Sequence, residues 1–185
     1  LHENLKKALD ELKASETSLR EENVRLRARS KERFRFGDII GKSEPMQRVY
    51  ELILQAAATD ANVILYGESG TGKELVSRAI HEASDRKEQI FFPVNLGAIP
   101  ENLIESEFFG HRKGAFTGAD NDKQGFLHLT DKGTLFLDEL ADIGLNLQVK
   151  LLRVLEGSGF TPVGTTEVIK PNIRFITASN QELSH

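Results

Sequence analysis

Short apolar runs rich in β-branched and aromatic residues alternate with segments of helical periodicity over most of the chain. The apolar runs cover 62–66, 90–94, 133–137 and 173–178. Buried parallel strands read as continuous apolar runs, whereas amphipathic helices place apolar residues three and four positions apart. Leu75, Val76, Ala79 and Ile80 follow that helical spacing after the first run. The alternation predicts an α/β fold in which helices pack on a parallel sheet.

Residues 1–35 follow a different pattern, with leucine at every seventh position. Leu5, Leu12, Leu19 and Leu26 form this series, and neither Gly nor Pro interrupts it. A sevenfold apolar repeat predicts a coiled coil, and Asn23 on the seam favours a parallel, in-register dimer. Several other seam positions are polar, so a single solvated helix is the alternative. We therefore divide the chain into a helical linker at 1–35 and a globular domain at 36–185.

A glycine-rich segment directly follows the first apolar run. It reads Gly-Glu-Ser-Gly-Thr-Gly-Lys-Glu at 67–74 and fits the pattern G-x-x-x-x-G-K of phosphate-binding loops. Glycine lets the backbone curl until several N–H groups converge on phosphate oxygens, and the start of the next helix adds partial positive charge. The lysine is expected to reach the β- and γ-phosphates. The segment predicts a bound ATP held by Gly67, Glu68, Ser69, Gly70, Thr71, Gly72, Lys73 and Glu74.

Two acidic residues, Asp138 and Glu139, follow the apolar run at 133–137. Ligands of parallel sheets bind beyond the carboxyl ends of the strands, so both acids are expected beside the phosphate loop. Asp138 is expected to orient Mg²⁺ and its waters, and Glu139 to polarise the attacking water. Glu74 stands where many phosphate loops have Ser or Thr, which makes it a second candidate for Mg²⁺, acting through water.

Asparagine follows two other predicted strands. Asn95 comes after the run at 90–94, and Ser179-Asn180 comes after the run at 173–178. An amide at a strand end is suited to position water or to sense the γ-phosphate. A turn residue or a helix cap is the alternative for each asparagine taken alone.

A second glycine-flanked segment, at 114–119, reads Gly-Ala-Phe-Thr-Gly-Ala. Glycine and alanine give it a flexible backbone, yet Phe116 has no apolar partner at regular spacing. An apolar side chain on a surface loop is costly to hydrate unless it meets a partner. The segment therefore suggests a partner-binding loop, with burial of Phe116 in its own core as the alternative.

These segments together resemble one family, the AAA+ domain of bacterial sigma-54-dependent transcriptional activators. The resemblance covers about 36–185 and includes both glycine-flanked loops, the strand that ends in Asp138-Glu139, and the segments 105–111 and 148–155. It implies a three-layer α/β/α sandwich with ATP and Mg²⁺, active as a ring that is usually a hexamer. The family usually has Arg at the position of Pro162, so this chain departs from the family there and lacks that side chain.

The resemblance also implies residue roles. Phe116 and Thr117, on the loop of Gly114, Ala115, Gly118 and Ala119, would contact sigma-54 in the promoter-bound polymerase. Asn95 would engage Glu139 and link nucleotide state to the loop, Asn180 would belong to a sensor, and Ile40 would lie near the adenine. DNA would be bound only through a further C-terminal domain, and the protein would work in the bacterial cytoplasm.

The composition of the chain excludes several classes of protein function. The 185 residues carry a net charge of −4, which argues against a chain that coats nucleic acid along its length. They include no cysteine, so the sequence has no disulfide or zinc pattern. No apolar run approaches the roughly 20 residues that span a membrane. Three readings compete with the activator: a nucleotide-binding regulator that does not remodel sigma-54, a general AAA+ remodeller, and a dimerisation module based on 1–33.

The family's fifth strand, helical lid and neighbour-reaching arginines normally lie past the position equivalent to residue 185. We therefore expect this 185-residue chain to be a weak ATPase by itself, because an arginine supplied by a neighbour is worth roughly 10³–10⁵ in rate in nucleotide hydrolases.

Overall fold

A computed structural model describes residues 35–140 and 144–180. The predicted coiled coil at 1–33 lies outside the described residues. The chain divides into two compact units, one ending at Tyr50 and the other beginning at Glu51. The predicted boundary at 35/36 between linker and domain stays a prediction.

The first unit contains a short antiparallel pair of strands, β1 (Arg35–Phe36) and β2 (Ile39–Ile40). Helix α1 (Glu44–Ala57) begins in this unit and ends in the second. The ring of Phe36 stacks on that of Tyr50 with centroids 5.7 Å apart. This contact anchors the strand pair to the first half of α1.

The second unit is built on a parallel sheet of four strands in the order β3-β6-β5-β4. The strands are β3 (Val63–Tyr66), β4 (Phe91–Asn95), β5 (Thr134–Asp138) and β6 (Arg174–Ser179). Each lies within one residue of a predicted apolar run. From β3 the chain crosses to β4 at the far edge of the sheet and then returns through β5 to β6. Strand β6 therefore lies between β3, which leads into the predicted phosphate loop, and β5, which ends in the predicted acids.

Helices connect the strands. They are α2 (Lys73–Glu82), a 3₁₀ turn (Leu96–Ala98), α3 (Glu101–Phe109), α4 (Phe126–Leu129) and α5 (Leu145–Leu155). Because successive strand residues point to opposite faces, the sheet has two apolar faces to cover.

The main hydrophobic core lies on one face of the sheet. Leu135 and Leu137 of β5 pack there with Phe108 of α3 and Leu151 of α5, and all four side chains are buried. On the opposite face, Phe136 stacks on Phe91, which lies 5.4 Å from the ring of His81 in α2. The predicted three-layer α/β/α arrangement is thus confirmed.

The amino ends of the strands are fixed by buried polar contacts. His81 Nδ1 and Thr134 Oγ1 are 2.9 Å apart, and burial lowers the pKa of His81 so that the neutral ring is favoured. Arg174 donates from Nη2 to the carbonyl oxygen of Ala56 at 2.6 Å, which ties β6 to the last turn of α1. The opposite, carboxyl ends of the strands carry the candidate site.

Candidate nucleotide site and exposed loop

The phosphate loop between β3 and α2 has the backbone shape that its glycines permit. Gly70 and Gly72 adopt left-handed backbone angles, with φ of 79° and 88°. At Gly67 a Cβ atom would lie 2.9 Å from Thr71 Oγ1, so the hydroxyl occupies the space that a side chain would need. The Thr71 hydroxyl donates to the Glu68 carbonyl oxygen at 2.8 Å and closes the turn.

The amino end of α2 is left uncapped by side chains. Gly72 occupies the N-cap position and offers no side-chain acceptor to the first N–H groups of the helix. Such N–H groups, together with the helix dipole, favour an anion. The loop is anchored to the sheet because Gly67 N–H donates to the Ser179 carbonyl oxygen at 3.2 Å.

The Lys73 ammonium lies over the loop and donates to the carbonyl oxygens of Gly67 and Glu68, each at 2.9 Å. A phosphate oxygen carries formal charge and is a stronger acceptor than a neutral carbonyl. The lysine is therefore held in reach of a triphosphate by contacts that a phosphate can replace.

A cavity of about 240 Å³ lies at the carboxyl ends of the strands. It brings together predicted residues from the phosphate loop, β5 and the end of β6: Ser69, Gly70, Gly72, Lys73, Glu74, Asp138, Glu139 and Asn180. Gly67, Glu68 and Thr71 shape the loop. One cavity thus collects cationic, acidic and amide groups from three separate parts of the sequence.

The two acids adopt an unusual backbone. Glu139 has φ of 60°, a left-handed conformation that few residues other than glycine adopt, and its N–H donates to Asp138 Oδ1 at 3.0 Å. Strained backbone of this kind persists where the surrounding structure enforces it, and it is frequent at functional sites. The turn directs consecutive carboxylates into the same cavity.

Asn95 lies beside the acids, because it pairs with Asp138 in the β4–β5 register. Its side-chain oxygen accepts a hydrogen bond from Ala98 N–H at 3.2 Å, so the alternative role of a helix cap is realised. A Cβ atom added to Gly97 would lie 2.4 Å from Glu139 Oε2 and 3.4 Å from Asn95 Oδ1. Both side chains therefore converge on Gly97, which sequence reasoning missed. The only signal in the sequence was a small residue two positions after a strand-end asparagine.

The donor set fits Mg²⁺ bound together with a triphosphate. Within 35–140 and 144–180, no group of three or more His, Cys, Asp or Glu side chains forms a protein-only metal site. Mg²⁺ normally takes one or two carboxylates, with phosphates and water completing an octahedron. Asp138 and Glu74 both line the cavity, and Glu74 is paired with Arg78 at 3.6 Å.

The second predicted feature is the loop between α3 and α4, which we call the exposed loop and define as 110–123. Its base is a ladder: His111 N–H donates to the Lys123 carbonyl oxygen at 2.9 Å, and the reverse bond is 2.8 Å. Asp122 accepts from Lys113 N–H at 2.7 Å and from Arg112 at 2.8 Å, and these bonds lower the pKa of the Asp122 carboxyl. The base of the loop is therefore held by both backbone and side-chain hydrogen bonds.

The tip of the exposed loop is closed by backbone bonds and open to its surroundings. Gly114 N–H donates to the Ala119 carbonyl oxygen at 2.8 Å, and Ala119 N–H donates to that of Phe116 at 3.0 Å. The Phe116 side chain is 41% exposed and Thr117 is exposed, so the phenyl ring is not part of the core. Ala119 is buried, so in this conformation it closes the loop and does not form its outer surface.

A further loop, at 160–169, packs against the exposed loop. Arg112 N–H donates to the Val163 carbonyl oxygen at 3.0 Å, and a Cβ atom on Gly164 would lie 2.7 Å from that of Ala115. Arg112 also pairs with Glu167 at 3.5 Å. Sequence reasoning noted Pro162 in this segment but missed the contact, which depends on the fold.

Ile40 lies in the first unit and is 72% exposed. Its predicted position near the adenine stays a prediction. In the part of the chain that the structure describes, no helix is both long and apolar enough to cross a bilayer.

An α/β domain with this phosphate loop and these strand-end acids is a P-loop nucleotide-binding domain of the AAA+ class. More narrowly, residues 39–185 match the family described as the Sigma-54 interaction domain, and the chain belongs to that family. The resemblance inferred from the motifs is thereby confirmed.

Two relatives are a luminescence regulatory protein and a nitrogen fixation protein by name. The chain is 51% identical over 143 residues to the luminescence regulatory protein LuxO of Vibrio campbellii, covering 77% of this chain and 32% of that protein. It is 48% identical over 165 residues to the nitrogen fixation protein AnfA of Azotobacter vinelandii, covering 89% of this chain and 31% of that protein.

One similar solved structure was determined with ATP. NtrX from Brucella abortus in complex with ATP is similar with a TM-score of 0.72 and 33% identity, covering 92% of this chain and 38% of that one. The chain spans about a third of the length of the curated relatives it matches.

Proposed function

We propose that this chain is the ATP-hydrolysing domain of a sigma-54-dependent transcriptional activator, which acts on RNA polymerase in the bacterial cytoplasm. The observation that carries the proposal is the single cavity that gathers Lys73, Asp138, Glu139 and Asn180, in a chain that also presents Phe116 on an exposed loop. Membership of the sigma-54 interaction family supports the same reading.

In this proposal ATP is the substrate. The uncapped N–H groups of α2 bind its phosphates, and Lys73 exchanges its carbonyl partners for phosphate oxygens. Asp138 and Glu74 would hold Mg²⁺, which would neutralise negative charge on the phosphates. Glu139 accepts the proton of the attacking water, while Asn180 senses the γ-phosphate.

Asn95 is proposed to restrain Glu139 beside Gly97, so that the nucleotide state alters the position of the carboxylate. Phe116 and Thr117, with Gly114, Ala115 and Gly118 around them, are proposed to contact sigma-54. Ala119 supports that contact by closing the loop. The working form is proposed to be a ring, usually a hexamer, with DNA bound by another domain.

Capture of purified sigma-54 by the chain, with ADP and aluminium fluoride as a mimic of the transferring phosphate, tests the proposal. We expect capture with the mimic and little without it. Thr117→Ala is expected to abolish capture while nucleotide binding is unchanged, because Thr117 lies outside the phosphate-binding elements.

A primary sigma factor of the sigma-70 class serves as the specificity control. Thr59→Ala provides a matched control variant, since Thr59 is an exposed threonine outside both the exposed loop and the loop at 160–169. Equal capture by wild type and Thr117→Ala would contradict the role of the exposed loop. Equal capture of both sigma factors would contradict the choice of partner.

A further inference from the structure

His111 occupies a position between the core and the tip of the exposed loop. Its Nδ1 lies 2.7 Å from the hydroxyl oxygen of Ser106, a buried residue of α3. Its ring meets the ring of Phe116 edge to face, with centroids 4.9 Å apart and planes at 65°. One imidazole thus joins a fixed helix to the side chain that the loop would offer to a partner.

We propose that Ser106 and His111 form a clasp that positions Phe116 and holds it against the domain until a partner takes the ring. This inference rests on the proposed function, because it assigns a restraint to the loop proposed to contact sigma-54. His111 is a positioning residue in this account, since it acts through Phe116.

The fixed end of the clasp is rigid. Ser106 lies on the same helix as the fully buried Phe108, and the backbone of His111 is held by both ladder bonds to Lys123. The serine hydroxyl both donates and accepts, so it can serve either tautomer of the imidazole. The imidazole therefore has little freedom to follow Phe116 if the loop tip moves.

The mobile end has room to move. Gly114 and Gly118 have φ of 80° and 97°, and a Cβ atom at either position would meet nothing within 4 Å. The ion pairs of Arg112 lie at the base of the loop, where its side chain is 53% exposed. Such exposed pairs are weak, and they do not touch the Phe116 ring.

Competition with a partner follows from the geometry. A partner pocket that buries the whole Phe116 ring has to replace the contact that His111 now makes with that ring. Removing the clasp should therefore loosen the tip and favour partner binding by about three- to tenfold, the size expected for one edge-to-face aromatic pair.

Amide hydrogen exchange of the 185-residue chain tests the clasp without any partner. The reporting amides are those of Gly114 and Ala119, which bond within the tip. We expect His111→Ala and Ser106→Ala each to speed their exchange by about three- to tenfold. His111→Phe keeps a ring against Phe116 but loses the serine bond, so its exchange should fall between wild type and His111→Ala.

The double variant provides a second readout that a merely structural role would not produce. If the serine acts through the imidazole, Ser106→Ala added to His111→Ala should cause no further acceleration. His128→Ala is the matched control, because His128 is an exposed histidine on α4 and should leave the tip unchanged. Unchanged exchange in both His111→Ala and Ser106→Ala would overturn the clasp.

Capture of sigma-54 without nucleotide then tests the competition. We expect His111→Ala to capture about three- to tenfold more than wild type. Faster exchange without any gain in capture would overturn the proposed competition. Faster exchange in a chain that never captures sigma-54, with or without the phosphate mimic, would support the clasp and refute the proposed function.

Discussion

The cavity at the strand ends and the tip of the exposed loop both contain glycines with left-handed backbone angles, but only the cavity site also has glycines that permit close approach. At the cavity, added Cβ atoms on Gly67 and Gly97 would lie 2.9 Å from Thr71 Oγ1 and 2.4 Å from Glu139 Oε2. At the tip, added Cβ atoms on Gly114 and Gly118 would meet nothing within 4 Å. At the cavity glycine therefore serves close approach as well as left-handed turns, whereas at Gly114 and Gly118 of the tip it serves left-handed turns alone.

This difference suits the two proposed tasks. A reaction at phosphate requires acids and N–H groups that keep their positions, so the cavity is built from strand ends and a helix start. A partner-binding loop requires a side chain that can leave its resting contacts, so Phe116 lies on a backbone without close neighbours at its two glycines. A substitution in the cavity or at the tip should therefore impair the task proposed for that region and leave the other region unaffected.

Glu139→Gln should have the largest effect. It removes the proposed proton acceptor while preserving size and hydrogen bonding, so hydrolysis should fall by about 10²–10⁴-fold with nucleotide affinity nearly unchanged. Single-turnover phosphate release, in any preparation of the protein that hydrolyses ATP, measures the first quantity and calorimetric titration the second. Normal hydrolysis by this variant would refute the role of Glu139.

Two phenylalanines compare the core with the loop tip directly. Phe108 is fully buried in the main core, so Phe108→Ala should lower the free energy of unfolding by about 3–5 kcal/mol. Phe116→Ala should lower it by only about 1 kcal/mol, because the ring is 41% exposed and meets the His111 ring edge to face instead of packing in the core. Chemical denaturation of both variants makes the comparison, and equal losses would show that Phe116 is a core residue.

Lys73→Ala should weaken ATP binding on the order of 100-fold, because the phosphates lose a charge-assisted donor. The exposed Lys87, in the turn beyond the carboxyl end of α2, supplies the matched control variant Lys87→Ala. Titration with a fluorescent ATP analogue compares the two. Similar affinities for both variants would mean that Lys73 keeps its carbonyl partners when nucleotide binds.

Gly97→Ala should slow hydrolysis by roughly tenfold, because the new methyl group displaces the Glu139 carboxylate from its position beside Asn95. Stability should hardly change, since the carboxylate is the flexible end of a side chain. Gly144→Ala is the control: its φ is −63° and its nearest neighbour to a Cβ atom is Glu101 Oε1 at 3.6 Å. An unaffected rate in Gly97→Ala would indicate that Glu139 does not need this position.

The smallest expected effect is a loss of stability in mild acid that originates at His81. Burial lowers the pKa of this histidine in the folded protein below its unfolded value of about 6.5. The unfolded chain therefore takes up the proton first, and the contribution present above pH 6.5 is lost as the pH falls towards the folded value.

Thermal unfolding between pH 7.5 and 5.5 measures this loss, and His81→Gln should flatten the profile. His81 stabilises β5 through its contact with Thr134. The protection of amides at the tip of the exposed loop against hydrogen exchange should therefore not change with the titration of His81. A profile of unchanged slope in His81→Gln would assign the pH dependence to other groups.

The sequence by itself determined the features that are local along the chain. Apolar runs located every strand of the sheet to within a residue, because burial on both faces leaves a continuous apolar signature. The phosphate loop was equally evident, since it is formed by consecutive residues whose glycines and lysine act within one turn. Asp138-Glu139 was recognisable for the same reason, as a pair of acids at the end of such a run.

Only the tertiary structure decided which distant residues meet. The strand order placed Asn95 beside Asp138 and brought Gly97 under the Glu139 carboxylate, although no periodicity links them. Packing likewise buried Ala119 and set the 160–169 loop against the exposed loop. The Ser106–His111–Phe116 arrangement joins residues close in sequence, but it depends on the left-handed turns that fold the tip back. Such contacts are set by how the helices, strands and loops pack together, and the pattern of residues along the chain does not reveal that packing.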